Sequence, residues 1–167
     1  MKTLWAPWRI GFILGEKPMT CFLCEEPGRG ISPESLVLAL TRHSFVIMNR
    51  YPYSNGHLLV APRRHVARPS ELTREERVDL HELLTGSVEL LGEVFSADGI
   101  NVGMNLGAAA GAGVADHIHW HIVPRWIGDT NAMSVVGGTR VIPEALDATF
   151  EKLRPRFAVL HTPGDEQ

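Results

Sequence analysis

The sequence predicts an α+β domain built on an antiparallel sheet of about five strands with two helices. Three observations carry this expectation. Short runs rich in Val, Ile, Leu and Phe follow one another over residues 36–62 with turn-length gaps, as in hairpins. Two more strand-like runs cover 99–105 and 116–125. Two amphipathic stretches of helical period stand apart from these runs.

Taken in order, Met1–Pro18 holds Leu4-Trp5-Ala6-Pro7-Trp8-Arg9. Two tryptophans at that place read as an anchor packed on the body or on a partner subunit; stacking on a nucleotide base is the alternative. Gly28-Arg29-Gly30 and Pro33 mark a loop. Leu36–Thr41 and Phe45–Asn49 read as strands around an Arg42-His43 turn, and His57–Pro62 as the next strand. Thr73–Phe95 is the clearest helix. Thr73 and Glu76 form a capping box, and Val78, Leu83, Leu84, Val88, Leu91 and Val94 make an apolar face. His81 reads as a surface histidine of that helix. Gly99–Asn105 is a strand with Ile100, Val102 and Met104 on one face, followed by a Gly/Ala loop over Gly107–Gly113. Arg125–Gly138 is irregular. Pro143–Leu153 is a second, shorter helix with proline in its first turn, and His161–Gln167 reads as a frayed tail.

The chemistry concentrates in Asp116-His117-Ile118-His119-Trp120-His121-Ile122-Val123-Pro124-Arg125. Imidazoles alternate with apolar side chains, which is the period of a strand. His117, His119 and His121 therefore share one face, and Pro124 ends the run because it cannot donate to a ladder. A merely solvated strand face would carry Thr, Lys or Glu instead. Three imidazoles in register point to a metal-binding or catalytic site.

Composition narrows the classes. A chain of 167 residues suits one domain with a sizeable core. With 44% hydrophobic and 21% charged residues it is of ordinary globular type. A formal net charge of -3 without a Lys/Arg run argues against broad binding to nucleic acid or anionic membrane. No long apolar run at the N-terminus suggests a signal peptide or membrane span, so the cytoplasm is the expected location. The two cysteines, Cys21 and Cys24, are spaced Cys-x-x-Cys. In a reducing compartment this spacing suggests metal binding or redox chemistry. The redox reading expects a thioredoxin-like strand-to-helix context, which the neighbouring residues lack. Structural zinc takes four Cys or His ligands, so histidines would have to complete the set.

The His-x-His-x-His run resembles the signature of the histidine triad (HIT) family. A second block matches too: Phe45–Asn49, through Pro52, to Gly56-His57-Leu58-Leu59-Val60-Ala61-Pro62-Arg63-Arg64-His65. The resemblance covers about residues 20–126 and implies the same α+β fold over a single HIT-like domain, 1–167. That domain would carry an N-terminal zinc-binding extension and a C-terminal helix and tail. It implies structural zinc on Cys21, Cys24, His65 and His117. It implies that His119 attacks the α-phosphorus of a nucleotide, forming a nucleotidyl-histidine intermediate. For that attack His119 must be neutral, with its other nitrogen donating to a carbonyl. His121 would bind a phosphate oxygen or hand a proton to the leaving group.

Substrate contacts implied by the resemblance are Asn49 for the ribose hydroxyls and Asn105 near the phosphates, with His57 supporting the triad. The family usually has Gln and Ser/Thr four and three residues before the first triad histidine. Here Gly113 and Val114 stand in their place, which leaves backbone N–H groups of Gly111, Gly113 and Val114 to meet phosphate. The segments Leu4–Arg9 and Pro124–Asn131, and Thr139–Glu144 beyond, resemble the bacterial diadenosine tetraphosphate phosphorylase branch, although Ala132 replaces a frequent Phe. The implied function is cleavage of dinucleoside polyphosphates with phosphate as acceptor. The alternatives are a hydrolase of phosphoramidates or dinucleoside polyphosphates, a nucleotide sensor with little turnover, and a zinc-stabilised interaction module. The expected partners are a nucleotide and other copies of the chain, a homo-oligomer.

Overall fold

The structure, a computed structural model, describes residues 20–129, 142 and 144–162. Five strands form one antiparallel sheet: β1 Val37–Leu40, β2 Ser44–Met48, β3 Leu58–Pro62, β4 Gly99–Met104 and β5 Trp120–Arg125. Their spatial order is β1-β2-β3-β5-β4. The helices are α1 Phe22–Glu25, α2 Arg74–Phe95 and α3 Leu146–Phe157. This is the expected α+β architecture, with the short α1 as an addition. The first tryptophans, and the Thr139–Val141 and Ala132 positions, lie outside the described residues.

The sheet is covered unevenly. Every residue of β1, β2 and β3 is buried, as befits runs of Val, Leu, Ile and Phe with helices packed on them. α2 packs on β2 and β3, and α3 packs on β1. β4, at the end of the sheet, is largely exposed; Ile100, Val102 and Met104 are its more apolar positions, with Val102 46% exposed.

The α2 start follows the sequence. Thr73 Oγ1 accepts from Glu76 N–H, and Glu76 Oε2 accepts from Thr73 N–H at 2.7 Å. Glu76 also receives Arg64 through two bonds of 2.8 Å, which holds its carboxyl down at about 2. The expected apolar face is corrected at its first residue. Val78 is 47% exposed, and Leu80, Leu83, Leu84 and Leu91 are the buried stripe. His81 is exposed, as expected. α3 begins and ends later than the expected Pro143–Leu153, running through Pro155 to Phe157. Its inner face is Phe150, Leu153 and Phe157, all fully buried, and burial of these three outweighs the propensity cost of the proline. The start of the expected tail is not frayed: Thr162 N–H donates to Leu40 O at 3.0 Å.

Two features aim the β2–β3 turn. Gly56 has φ 72, and a Cβ there would meet Phe95 Cε2 at 2.7 Å, so only glycine lets the end of α2 sit on this turn. Glu144 ties the same turn to α3: it accepts from Asn55 Nδ2 at 3.1 Å, Thr149 Oγ1 at 2.7 Å and Lys152 Nζ at 2.6 Å. His57 follows immediately.

The strand carrying the histidines starts later than alternation suggests. β5 begins at Trp120, so His117 and His119 precede it in an extended lead-in. Pro62, at the end of β3, has no N–H to continue the ladder. The chain leaves instead, with Ile118 N–H donating to Val66 O at 2.8 Å. Nor does Pro124 end the run. It pairs with Ile100 of β4 inside β5, at a place where pairing to β3 has already stopped, at Leu58–Ile122. A proline is tolerated where a strand pairs on one side only, as β5 does there among the described residues.

Candidate functional site

Cys21 and Cys24 lie at the start of α1, His65 follows β3, and His117 precedes β5. Cys24 Sγ is 3.2 Å from His65 Nδ1 and 3.4 Å from His117 Nδ1, and Cys21 Sγ is 3.4 Å from His117 Nδ1. All four potential ligand atoms lie within 4.8 Å of one another. His117 Nε2 lies 2.8 Å from Pro62 O. A carbonyl only accepts, so Nε2 carries the proton and Nδ1 offers its lone pair toward the sulfurs. This is how a metal-ligating histidine is held. Burial first, then the nearby His65 and His119, pushes His117 down to about 4. Burial and the neighbouring Cys21 push the Cys24 thiol up to about 11; a bound divalent cation would reverse that by taking the thiolate. The donor set and its convergence fit a tetrahedral metal site.

Two residues on, the same logic runs the other way. His119 Nδ1 is 2.9 Å from His117 O, so Nδ1 carries the proton and Nε2 holds a lone pair. His119 is 5% exposed and lines a cleft of about 290 Å³. Burial lowers its pKa, keeping the imidazole neutral.

His121 is set by a chain of donors. Asn49 Oδ1 accepts from Tyr51 N–H at 2.9 Å. Asn49 Nδ2 at 3.2 Å and Tyr53 N–H at 3.0 Å both donate to His57 Nδ1. His57 therefore carries its proton on Nε2 and donates to His121 Nδ1, 3.0 Å away. His121 Nδ1 being an acceptor, its Nε2 bears hydrogen. That atom is buried and has no partner among the described residues. The Tyr53 ring lies tilted against His57 at 4.6 Å and stacks on His121 at 5.8 Å between centroids. Burial first, then His119, pushes His121 down to about 4. The site thus sets one imidazole lone pair beside one imidazole N–H donor, with ring centroids 5.0 Å apart.

Of the expected substrate contacts, Asn49, Gly111, Gly113, Val114 and His121 line the cleft. Ala110 and Ala112 N–H both donate to Gly107 O, closing the loop. The N–H groups of Gly111, Gly113 and Val114 donate to no backbone carbonyl of the described residues. Asn105 follows β4 and does not line the cleft; His57 lies behind His121. Sequence reasoning missed Tyr53, Leu36 and Glu26, which also line it. Tyr53 was readable only as part of the turn before His57. Nothing local marks the other two, because long-range packing brings them in.

Fold and site together define an α+β protein with two neighbouring imidazoles lining a cleft, beside a Cys2His2 cluster. The comparisons narrow this to a family. The HIT domain matches residues 32–126. AP-4-A phosphorylase of Mycobacterium tuberculosis (strain H37Rv) is 34% identical over 171 residues, spanning 95% of this chain and 85% of the relative. Bis(5'-nucleosyl)-tetraphosphatase [asymmetrical] of Schizosaccharomyces pombe is 36% identical over 133 residues, 80% of this chain and 67% of that one. Among solved structures, a Zn-bound histidine triad family protein from Mycobacterium smegmatis has a TM-score of 0.66 at 26% identity, covering 85% of this chain and 96% of that chain. A hypothetical histidine triad nucleotide-binding protein from Sulfolobus tokodaii strain7 has a TM-score of 0.67 at 25% identity, covering 84% and 93%. The chain belongs to the HIT family.

The tautomers are directly observable. Nitrogen-15 correlation spectra of histidine-labelled protein at pH 7 are expected to place the proton of His119 on Nδ1 and that of His121 on Nε2. His121 should stay neutral until the pH approaches 4. Because its folded pKa is depressed, its stabilising contribution is complete above the ordinary value near 6.5 and is lost as pH falls from there toward 4. A His121 signal titrating at its ordinary pKa would show that the buried chain through His57 is wrong.

Proposed function

We propose that the protein is a histidine triad enzyme that cleaves dinucleoside polyphosphates of the diadenosine tetraphosphate type, with phosphate as acceptor. The observation that carries the reading is the His119 lone pair set beside the His121 N–H donor at the cleft. The phosphorylase and tetraphosphatase names of the relatives supply the substrate class.

In the first step His119 Nε2 attacks the α-phosphorus, and the bond to the bridging oxygen breaks. The leaving nucleoside polyphosphate departs as a phosphate anion and needs no proton. His119 becomes an N-phosphorylated imidazolium whose Nδ1–H keeps its bond to His117 O, which supports the positive charge. In the second step an oxygen of inorganic phosphate attacks the same phosphorus and expels neutral His119. With diadenosine tetraphosphate the products are ATP and ADP. Of the two roles expected for His121, phosphate binding fits better. A neutral imidazole that gave up its only proton would become an imidazolate, so its Nε2–H serves as a fixed donor to a phosphate oxygen. Backbone N–H groups of Gly111, Gly113 and Val114 are the further candidates for the phosphate oxygens. Asn49, already engaged with His57, offers the ribose its remaining acceptor capacity. Asn105 could meet only a part of the substrate that extends beyond the cleft.

Incubation with diadenosine tetraphosphate and phosphate should give ATP plus ADP on chromatography. AMP plus ATP regardless of phosphate would assign the hydrolase alternative, and tight binding without turnover the sensor. His119→Gly should lower the rate on the order of 10³-fold or more, and His121→Ala by about 10²–10³-fold, as for loss of a preorganised donor. Wild type quenched during turnover should carry acid-labile nucleotide. Label persisting in the His119 variant would move the nucleophile elsewhere.

Zinc at Cys21, Cys24, His65 and His117 is part of the same proposal, supported by the converging ligand atoms. It would tie α1 to the ends of β3 and β5 and take no part in the bond changes. Elemental analysis should find about one zinc per chain. Cys24→Ser should lose the metal and lower the melting temperature before it lowers kcat. Metal-free wild type melting at the same temperature as the metal-loaded protein would remove the structural role.

The chain is further proposed to self-associate, with β4 at the sheet end as the candidate edge, since an exposed strand edge is a template for pairing. Sedimentation at micromolar concentration should give a homo-oligomer; a lone monomer would count against it. No helix among the described residues is long and apolar enough to cross a membrane. Residence in the cytoplasm, without nucleic-acid or membrane partners, is part of the proposal.

A further inference from the structure

The cleft also holds a carboxylate that neither the chemistry nor the fold uses. Glu26 sits in the 3₁₀ turn after α1, is 9% exposed, and lines the cleft with Phe22, Leu36 and Ile47. Its Oε2 is buried and accepts no hydrogen bond. Its ion-pair partner, Arg29 Nη1, stands at 3.5 Å on a side chain that is 58% exposed. So loose and solvated a pair is worth little and does not offset the desolvation of a carboxylate. An unsatisfied buried polar group in a native fold asks for a reason.

The sheet register says where Glu26 lies relative to the histidines. His121 pairs with Leu59, Leu59 with Ile47, and Ile47 with Val37. Opposed residues of antiparallel strands point to the same face. The cleft floor therefore runs from His121 across Leu59 and Ile47 to β1, three strand spacings or about 14 Å. The turn bearing Glu26 packs against β1 at the far side. Leu36, at that same end, is held at φ 63, a costly conformation for a branched residue, and such strain gathers at ligand sites. A nucleotide whose phosphorus meets His119 passes its ribose near Asn49. Its base then lies over Ile47 and Leu36, with the outer edge toward Glu26.

We propose that Glu26 reads the base, its carboxylate accepting a hydrogen bond from an N–H on the outer edge of a purine. The inference rests on the nucleotide reading above and adds a specificity residue to it. A carboxylate only accepts. It suits the 6-amino group of adenine, or the adjacent ring N–H and 2-amino group of guanine. A purine with no donor on that edge would leave the buried carboxylate with only its loose Arg29 contact.

The test is calorimetric titration of the full-length protein with AMP, GMP and purine riboside 5'-monophosphate, which lacks both amino groups and the ring N–H. Wild type should bind AMP and GMP about ten- to a hundredfold more tightly than the third, as expected for a hydrogen bond to a charged group. Glu26→Leu should bring the three within a few-fold of one another, with melting temperature and zinc content reporting that the variant is folded. If that variant does not fold, Glu26→Asp, which withdraws the carboxylate by one methylene, should lose the preference instead. Equal affinities in wild type, or a preference that survives in a folded variant, overturns the proposal. Failure of all three nucleotides to bind would overturn the nucleotide reading itself.

Discussion

Four imidazoles of the site are each held in one tautomer, and the holding groups are mostly backbone. Pro62 O fixes His117, His117 O fixes His119, and Tyr53 N–H fixes His57, which in turn fixes His121. A backbone group cannot change protonation state, so what each ring nitrogen presents is set when the strands pair. β3 carries both ends of this arrangement. His57 enters it beside the cleft, and Pro62 leaves it beside the cysteines. Only three β3 residues, Leu58, Leu59 and Val60, pair with β5. A one-residue slip there would turn His121 to the other face, so the core packing of β3 sets the geometry of the imidazoles.

The alternating histidines made a shared face legible, and His119 and His121 do line one cleft. The extent of the strand was not legible. It depends on Pro62, which stops the ladder and frees a carbonyl for His117. Local pattern reports side-chain period, whereas strand limits depend on which partner groups remain. Pro124 shows the converse: read alone it ends a strand, yet it sits inside β5 because β3 has already left that side. Val78 fits the α2 period but is 47% exposed, since no described element packs over it. Asn49 was readable as a strand-end amide; that its Nδ2 holds His57 was not, since the turn bringing them together depends on Gly56, Phe95 and Glu144. Glu26 had no local signal, being one acidic residue in a loop until β1 and the turn after α1 are packed.

Burial imposes an energetic cost on this site that the rest of the fold must meet. Among the described residues, three buried side-chain atoms have no hydrogen-bond partner: Glu26 Oε2, Ser44 Oγ and His121 Nε2. Two of the three belong to cleft residues. Unpaired buried polar atoms typically cost about 1–3 kcal/mol each, and the fully buried Phe45, Phe150, Phe157, Leu58 and Ile122 are the kind of side chains whose packing offsets such costs.

The two cleft groups without a hydrogen bond are also of opposite character. At the triad end His121 offers a donor, joined by the N–H groups of Gly111, Gly113 and Val114, which donate to no backbone carbonyl of the described residues. At the β1 end Glu26 offers an acceptor. Both triad imidazoles at the cleft are neutral, so the arrangement attracts through fixed dipoles more than through net charge; Arg50 is the one cation among the described lining residues. A nucleotide has the complementary polarity, all acceptors at its phosphate and donors at the outer edge of an adenine or guanine base. Reversed, the phosphate would face a carboxylate, and the base N–H groups would face N–H donors. Both ends would then be repulsive. On the proposed reading the cleft would select one orientation by polarity, and it is the orientation that would bring the α-phosphorus to the His119 lone pair.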